Sequence, residues 1–307
     1  MKKSLLIIVF IFSTVLFSNI SRSMAAEPLV DTAWLAANKD KPGVVMLDIR
    51  GPMEYRNAHI PGSVYTEYGG KKGWRVMKNG VMGMLPDTPY LEKLIGGLGI
   101  GNADHVVIVP GGYGASEMGI AARIYWTFKV LGHQNVSILD GGIIAWANKK
   151  LPLTRGEGSP PKAKTFKARF NKNVLATAAD VKKALKDGSA ALIDSRSSDQ
   201  FRGINKSGAV KRAGTLPGAK NVPGVWMTRN NGGTFRAKET IKKLYDLAGA
   251  PTKGPVINFC NTGHWASLGW FVSSEILGNK KAKMYDGSLA EWSRDKSNPI
   301  YREVAAD

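Results

Sequence analysis

Val44-Val45-Met46-Leu47-Asp48-Ile49-Arg50 has a counterpart at Ala190-Ala191-Leu192-Ile193-Asp194-Ser195-Arg196. Each is a short apolar run that ends in Asp-x-Arg, the pattern of a parallel strand buried on both faces with a polar exit. The likeness continues outward from these two stretches. His59-Ile60-Pro61-Gly62-Ser63 is matched by Thr215-Leu216-Pro217-Gly218-Ala219, and Val106-Val107-Ile108-Val109 by Pro255-Val256-Ile257-Asn258-Phe259. Helical patterns follow over residues 116–131 and 266–277. Leu139-Asp140-Gly141-Gly142 with Trp146 then corresponds to Tyr285-Asp286-Gly287-Ser288 with Trp292. Strands that alternate with helices at this spacing predict an α/β protein of two domains, each a mainly parallel sheet flanked by helices. Residues 151–161 are rich in Pro and Gly and read as a connection. The limits expected are 27–150 for the first domain, 151–164 for the linker and 165–307 for the second domain. The alternating residues 165–170 are expected to open the second domain as an edge strand.

The N-terminus carries Lys2 and Lys3, an apolar run over residues 5–17, and the small-residue exit Ser23-Met24-Ala25-Ala26. That order is a secretory signal peptide, expected over residues 1–25 with cleavage after Ala25 or Ala26, and it implies a periplasmic protein. The run is shorter than the roughly 20 residues that span a bilayer. No Cys follows it, so neither a lipid anchor nor a stable membrane anchor is expected. About 280 residues remain, enough for two domains with a core each.

The chain has 307 residues and a formal charge of +19, and removing Lys2, Lys3 and Arg22 with that acid-free segment leaves +16. A basic balance favours anionic partners at long range. It is also the ordinary state of many exported bacterial proteins. No basic helix with interleaved aromatics occurs, so nucleic acid is not an expected partner. One cysteine, Cys260, is present. It has no intrachain partner, so a disulfide framework is ruled out, and four scattered histidines with one cysteine give no expected metal site. Gly111-Gly112 lacks the lysine and spacing of a phosphate cradle, and no cofactor is expected.

Cys260 lies in Cys260-Asn261-Thr262-Gly263-His264-Trp265-Ala266, between an apolar strand and an amphipathic helix. A strand that turns briefly into a helix presents free backbone N–H groups and the positive end of the helix dipole. A thiolate or persulfide held there is stabilised, and the thiolate is the nucleophilic form. Gly263 lets the backbone curl around the sulfur, and Asn261 and Thr262 suit a tight turn. His264 is a candidate donor to an anion or proton carrier, against a solvent-facing histidine at a helix start. Trp265 is a candidate pocket wall, against a tryptophan of the core. At the place of Cys260 the first half has Pro110, with neither a nucleophile nor an N–H, so its site is expected to be silent.

In that order, Asp-x-Arg, Pro-Gly-Ala/Ser, strand-loop-helix and Asp-Gly with a nearby Trp resemble the rhodanese family, twice over and across nearly all of the chain after the export segment. The likeness is to its exported tandem thiosulfate/3-mercaptopyruvate sulfurtransferase type. It implies two rhodanese-like domains, an inactive first and a catalytic second, with Cys260 as the persulfide carrier. It also implies a small anionic sulfur donor (thiosulfate or mercaptopyruvate) and a thiol, cyanide or protein acceptor, with ping-pong kinetics. Residues 261–265 become candidate substrate-binding residues with Arg196, although Asp194 and Arg196, like Asp48 and Arg50, read more readily as a structural ion pair. Cysteine phosphatases on a related fold need an arginine six residues after the cysteine, where this chain has Ala266, which argues against phosphate chemistry. The donor-binding arginine common to these sulfurtransferases is replaced by Gln200, just before Phe201. That replacement leaves the donor open and keeps a second reading in view, a persulfide-binding, sulfur-delivery protein with little turnover on free donors.

Overall fold

The computed structural model describes residues 26–70 and 72–304; the expected export segment, residues 1–25, lies outside the described residues. The first half begins with β1 (Leu29–Val30), α1 (Thr32–Asn38), β2 (Val44–Asp48), α2 (Pro52–Asn57) and β3 (Val64–Tyr65). A hairpin of β4 (Val76–Lys78) and β5 (Val81–Met84) follows, then α3 (Thr88–Gly97), β6 (His105–Val109), α4 (Ala115–Val130), β7 (Val136–Leu139) and α5 (Gly142–Asn148). The second half runs β8 (Leu175–Ala176), α6 (Ala178–Asp187), β9 (Ala191–Asp194), α7 (Ser198–Arg202), β10 (Lys220–Asn221), α8 (Lys238–Leu247), β11 (Val256–Phe259), α9 (His264–Phe271), β12 (Ala282–Tyr285) and α10 (Ser288–Trp292).

The first main sheet has the order β1-β7-β6-β2-β3, and the second has β8-β12-β11-β9-β10. Every pairing within these two sheets is parallel. The two orders are the same, strand for strand, so the duplication legible in the sequence is a duplication of topology. The strands are continuous apolar runs because helices cover both faces.

The Asp-x-Arg motifs explain themselves here. Asp194 closes β9, and its carboxylate accepts from the backbone N–H, Nε and Nη2 of Arg196, the last at 2.6 Å. Arg196 Nη2 also donates to the Gly214 carbonyl, while Thr215 Oγ1 donates to Asp194. Asp48 and Arg50 repeat the arrangement, with Arg50 Nη2 on the Ala58 carbonyl. Each pair thus pins the segment leading into a Pro-Gly turn to the end of a central strand. Both partners of the second pair are wholly buried. Arg196, a candidate substrate ligand from the sequence, spends Nε and Nη2 on Asp194 and Gly214, while its buried Nη1 has no hydrogen-bond partner.

The edge strand expected over residues 165–170 does not form. Phe166 is buried against Phe128 and His133 of the first half. The backbone around it bonds to the turn after α4, with Arg169 N–H on Leu131 O and Asn171 N–H on Val130 O. Asn102 brackets the Lys167 backbone from both sides. The alternation in the sequence is real, but it serves a strap laid over the first domain rather than a sheet edge. The second sheet opens at β8.

The halves meet through α4 and α9, the helices that follow Pro110 and the Cys260 loop. α4 is buried along most of its length. Tyr125 packs edge-on against Phe271 with ring centroids 4.9 Å apart. One apolar cluster runs through both domains across this contact, and separate clusters fill the outer side of each sheet.

Removing one partner of a buried ion pair leaves the other charge uncompensated. Arg196→Met is expected to cost about 3–5 kcal/mol of unfolding free energy, read by urea denaturation. Arg202→Met, in an exposed pair with Glu303, is expected to change stability by less than about 1 kcal/mol.

Candidate active site

β11 delivers Cys260 to the C-terminal edge of the second sheet, and α9 begins at His264. Cys260 is fully buried. Its N–H donates to Ser288 Oγ at 3.1 Å, and Ser288 Oγ lies 4.0 Å from the Cys260 sulfur. The chain after β12 grips the loop further through Leu289 N–H on Cys260 O and Ala290 N–H on Asn261 O. The first half uses the same grip, with Ile143 N–H on Pro110 O and Ile144 N–H on Gly111 O. The repeated Asp-Gly turn is thus the clamp of the loop in each domain, and only the second clamp holds a sulfur.

No partner among the described residues takes the N–H groups of Asn261, Thr262 and Gly263. They are free to receive an anionic sulfur, as a turn leading into a helix N-terminus permits. Gly263 has φ +75, and a Cβ there would strike Arg123 Nη1 and the Asp286 carbonyl, so both conformation and space demand glycine. Asn261 Nδ2 donates to Gln200 Oε1 at 2.8 Å. The residue standing where the donor-binding arginine was expected therefore braces the loop. Trp265 packs against Gly224, where a Cβ would meet its ring. With Ser197, Gln200, Pro223, Val225 and Asn261 it lines a cavity of about 220 Å³ beside the loop.

The other side of the loop belongs to the first domain. Arg75, just before β4, donates from Nη2 to the Thr262 carbonyl at 2.6 Å and from Nε to the Gly83 carbonyl. Arg123 of α4 reaches the carbonyls of Gly83 and Gly263 and forms a 2.6 Å ion pair with Asp286. Asp286 also accepts from the Leu85 N–H. The Tyr68 hydroxyl and His264 Nδ1 share a hydrogen bond at 3.2 Å, and Ser116 Oγ stands 3.5 Å from Nε2. Gly119 in α4 makes room for this ring: a Cβ would come within 2.9 Å of Nε2.

His264 therefore faces the first domain rather than solvent. Burial, and then the charges of Arg75 and Arg123, pull its pKa down to about 4, so the imidazole is neutral at pH 7. Burial pushes the Tyr68 phenol upward, and that group stays protonated. Cys260, Asn261, Thr262, Gly263, His264 and Trp265 follow one another along the loop and the start of α9, and Arg196, held in its ion pair with Asp194, lines the cavity beside Asn261 and Trp265. Tyr68, Arg75 and Arg123 were not foreseen. Arg123 alone left a trace in the sequence, a charge inside the apolar run Ala121-Ala122-Arg123-Ile124-Tyr125-Trp126.

Among the described residues there is no group of three or more His, Cys, Asp or Glu side chains arranged to hold a metal. The site combines a buried thiol, free amide donors and nearby guanidinium groups, which together suit a sulfur nucleophile that is anionic between reaction steps.

Two copies of a tandem α/β domain with a sulfur loop in the second define a class that sequence comparison identifies. Residues 31–149 and 177–295 both match the rhodanese-like domain, and the chain belongs to the rhodanese family. A protein from Saccharopolyspora erythraea named "Putative thiosulfate sulfurtransferase" is 34% identical over 284 residues, which is 89% of this chain and 96% of that one. Sulfur carrier protein TtuD of Thermus thermophilus is 31% identical over 286 residues, 89% of this chain and 96% of that one. The 3-mercaptopyruvate sulfotransferase SseA of Escherichia coli has a similar structure, with a TM-score of 0.74 at 26% identity, covering 86% of this chain and 99% of that one. The anaerobic ergothioneine biosynthesis enzyme of Chlorobium limicola, at 20% identity and a TM-score of 0.77, shares the fold over 91% of this chain and 71% of that one.

Between pH 6.5 and about 4 the unfolded chain protonates His264 and the folded chain does not, so this residue makes stability fall as pH drops through that window, by up to about 3 kcal/mol. His264→Gln is expected to flatten that part of the profile. Urea unfolding of both proteins at pH 7 and pH 4.5 reads the difference; parallel profiles would exclude a buried neutral His264.

Proposed function

We propose that this chain is a sulfurtransferase that moves sulfane sulfur from an anionic donor to a thiophilic acceptor through a persulfide on Cys260. The observation that carries the reading is the chain's one thiol, buried at a turn in which the N–H groups of Asn261, Thr262 and Gly263 have no acceptor among the described residues. In the first half-reaction the Cys260 thiolate attacks the outer sulfur of thiosulfate. The sulfur–sulfur bond of the donor breaks, sulfite leaves with its electron pair, and Cys260 holds a persulfide anion. In the second, an acceptor thiolate attacks the terminal sulfur, takes it as its own persulfide, and restores the Cys260 thiolate. Thiosulfate is the working donor because the names of full-length relatives point to it; 3-mercaptopyruvate is the alternative drawn from SseA. Cyanide serves as an assay acceptor, and a thiol or carrier protein as the natural one.

The second reading, sulfur delivery with slow turnover on free donors, draws on one feature. The cavity beside the loop presents the Gln200–Asn261 amide pair, and the arginine lining it, Arg196, is bound to Asp194. The relation to TtuD, a sulfur carrier, points the same way. Export to the periplasm is proposed from residues 1–25 alone; an N-terminus at Ala26 or Glu27 in protein recovered from a periplasmic extract is the expected result.

Incubation of the purified protein with thiosulfate is expected to add the mass of one sulfur atom, and Cys260→Ser to add none. A wild-type chain with a reactive thiol and no mass gain would remove thiosulfate as donor. Steady turnover with thiosulfate and cyanide separates the enzyme from the carrier, for which only the single mass gain is expected.

A further inference from the structure

The Cys260 loop is built by the second domain, yet the carbonyls on its outer side are held by the first. Arg75 takes the Thr262 carbonyl and Arg123 the Gly263 carbonyl, and both share the Gly83 carbonyl of β5. A trans peptide is planar, with its C=O and N–H pointing in opposite directions. Holding the Thr262 carbonyl toward Arg75 therefore turns the Gly263 N–H away from it, back into the loop. The Gly263 carbonyl and the His264 N–H are coupled in the same way through Arg123.

From this arrangement we infer that Arg75 and Arg123 are positioning residues for the sulfur chemistry. They aim the loop's amides at the Cys260 sulfur and place positive charge behind it. The inference rests on Cys260 being the sulfur carrier.

The charges around the loop agree with this role. On the first-domain side stand Arg75, Arg123 and the Tyr68 hydroxyl. On α9 stands His264, and on the turn after β12 stands Asp286. On the neighbouring strand Asp194 and Arg196 compensate each other. Arg123 is paired with Asp286, so Arg75 is left as the net positive charge at the Thr262 peptide. No salt bridge involves Arg75 among the described residues; its ring partner is Tyr68, with the guanidinium 5.4 Å from the centroid. Burial first, and then the same two guanidinium groups, depress the basicity of His264 on α9. A second domain without its partner would retain the nucleophile and the loop but lose the groups that hold the loop's outer face.

The test is the pH dependence of Cys260 alkylation by iodoacetamide in the full chain, which needs no sulfur donor. Arg75→Gln keeps a hydrogen-bond donor and removes the charge, whereas Arg75→Lys keeps the charge and loses the fork. The midpoint for Arg75→Gln is expected to rise by about one pH unit, as loss of a nearby opposite charge does. Below the midpoint this is about a tenfold slower alkylation, with Arg75→Lys in between. Arg123→Lys is expected to move the profile in the same direction. Where it does not fold, Arg75→Gln, at a partly exposed residue, decides the matter. A wild-type profile for folded Arg75→Gln, verified by its thermal transition, would overturn the inference and leave Arg75 as a domain contact only. If the wild type takes no sulfur from thiosulfate yet the profile shifts, the donor reading has failed and the positioning role stands.

Discussion

The setting of one domain against the other depends on a buried contact between Arg123 and Asp286. Arg123 is a wholly buried side chain in a helix of the first domain, and Asp286 belongs to the turn that clamps the sulfur loop of the second. An unpaired charge in that interior would cost several kcal/mol, so the pair allows little sliding between the domains. The same carboxylate takes the Leu85 N–H beyond the hairpin, and the same guanidinium reaches the carbonyls of Gly83 and Gly263. Loop, hairpin and interface helix therefore share one fixed point.

This contact has a counterpart across the pseudo-symmetric interface. Asp140, in the first domain's Asp-Gly turn, accepts from the Phe235 N–H, and the Gly141 N–H donates to the Gly233 carbonyl. Each domain thus inserts a backbone segment onto the Asp-Gly turn of the other. Burial raises the Asp140 carboxyl, and no ion pair like that of Asp286 with Arg123 compensates it among the described residues. The interface is two-fold in its backbone contacts, but only the Asp286 side closes into an ion pair among the described residues; on the Asp140 side Arg229 acts by charge from further off. The charged side is the one facing Cys260, so the first domain, which has Pro110 at the corresponding place, supplies charge to the other domain's loop.

Much of this was legible in the chain. The repeated Asp-x-Arg and Asp-Gly motifs set the strand ends and loop clamps, because both act locally, through partners on the same sheet edge. The strand, loop and helix around Cys260 were legible for the same reason. Tyr68 and Arg75 were not, because their partners His264 and Thr262 lie 196 and 187 residues away. Only the packing of α4 on α9 brings them together, and no local periodicity encodes that. Residues 165–170 misled for a related reason. Alternation records which side chains are buried, and Phe166 is buried, but in the core of the domain before it.

Ser288 carries a consequence of its own. It adopts φ 48, the left-handed region that its counterpart Gly142 occupies at φ 58 without a side chain. A serine there is strained by roughly 1 kcal/mol or more. Glycine would relieve the backbone, as Gly142 does in the first domain. What serine adds is a hydroxyl that receives the Cys260 N–H and turns toward the Tyr285 carbonyl. Ser288 thereby takes the Cys260 amide out of the loop's set of unclaimed donors, which among the described residues is left as Asn261, Thr262 and Gly263.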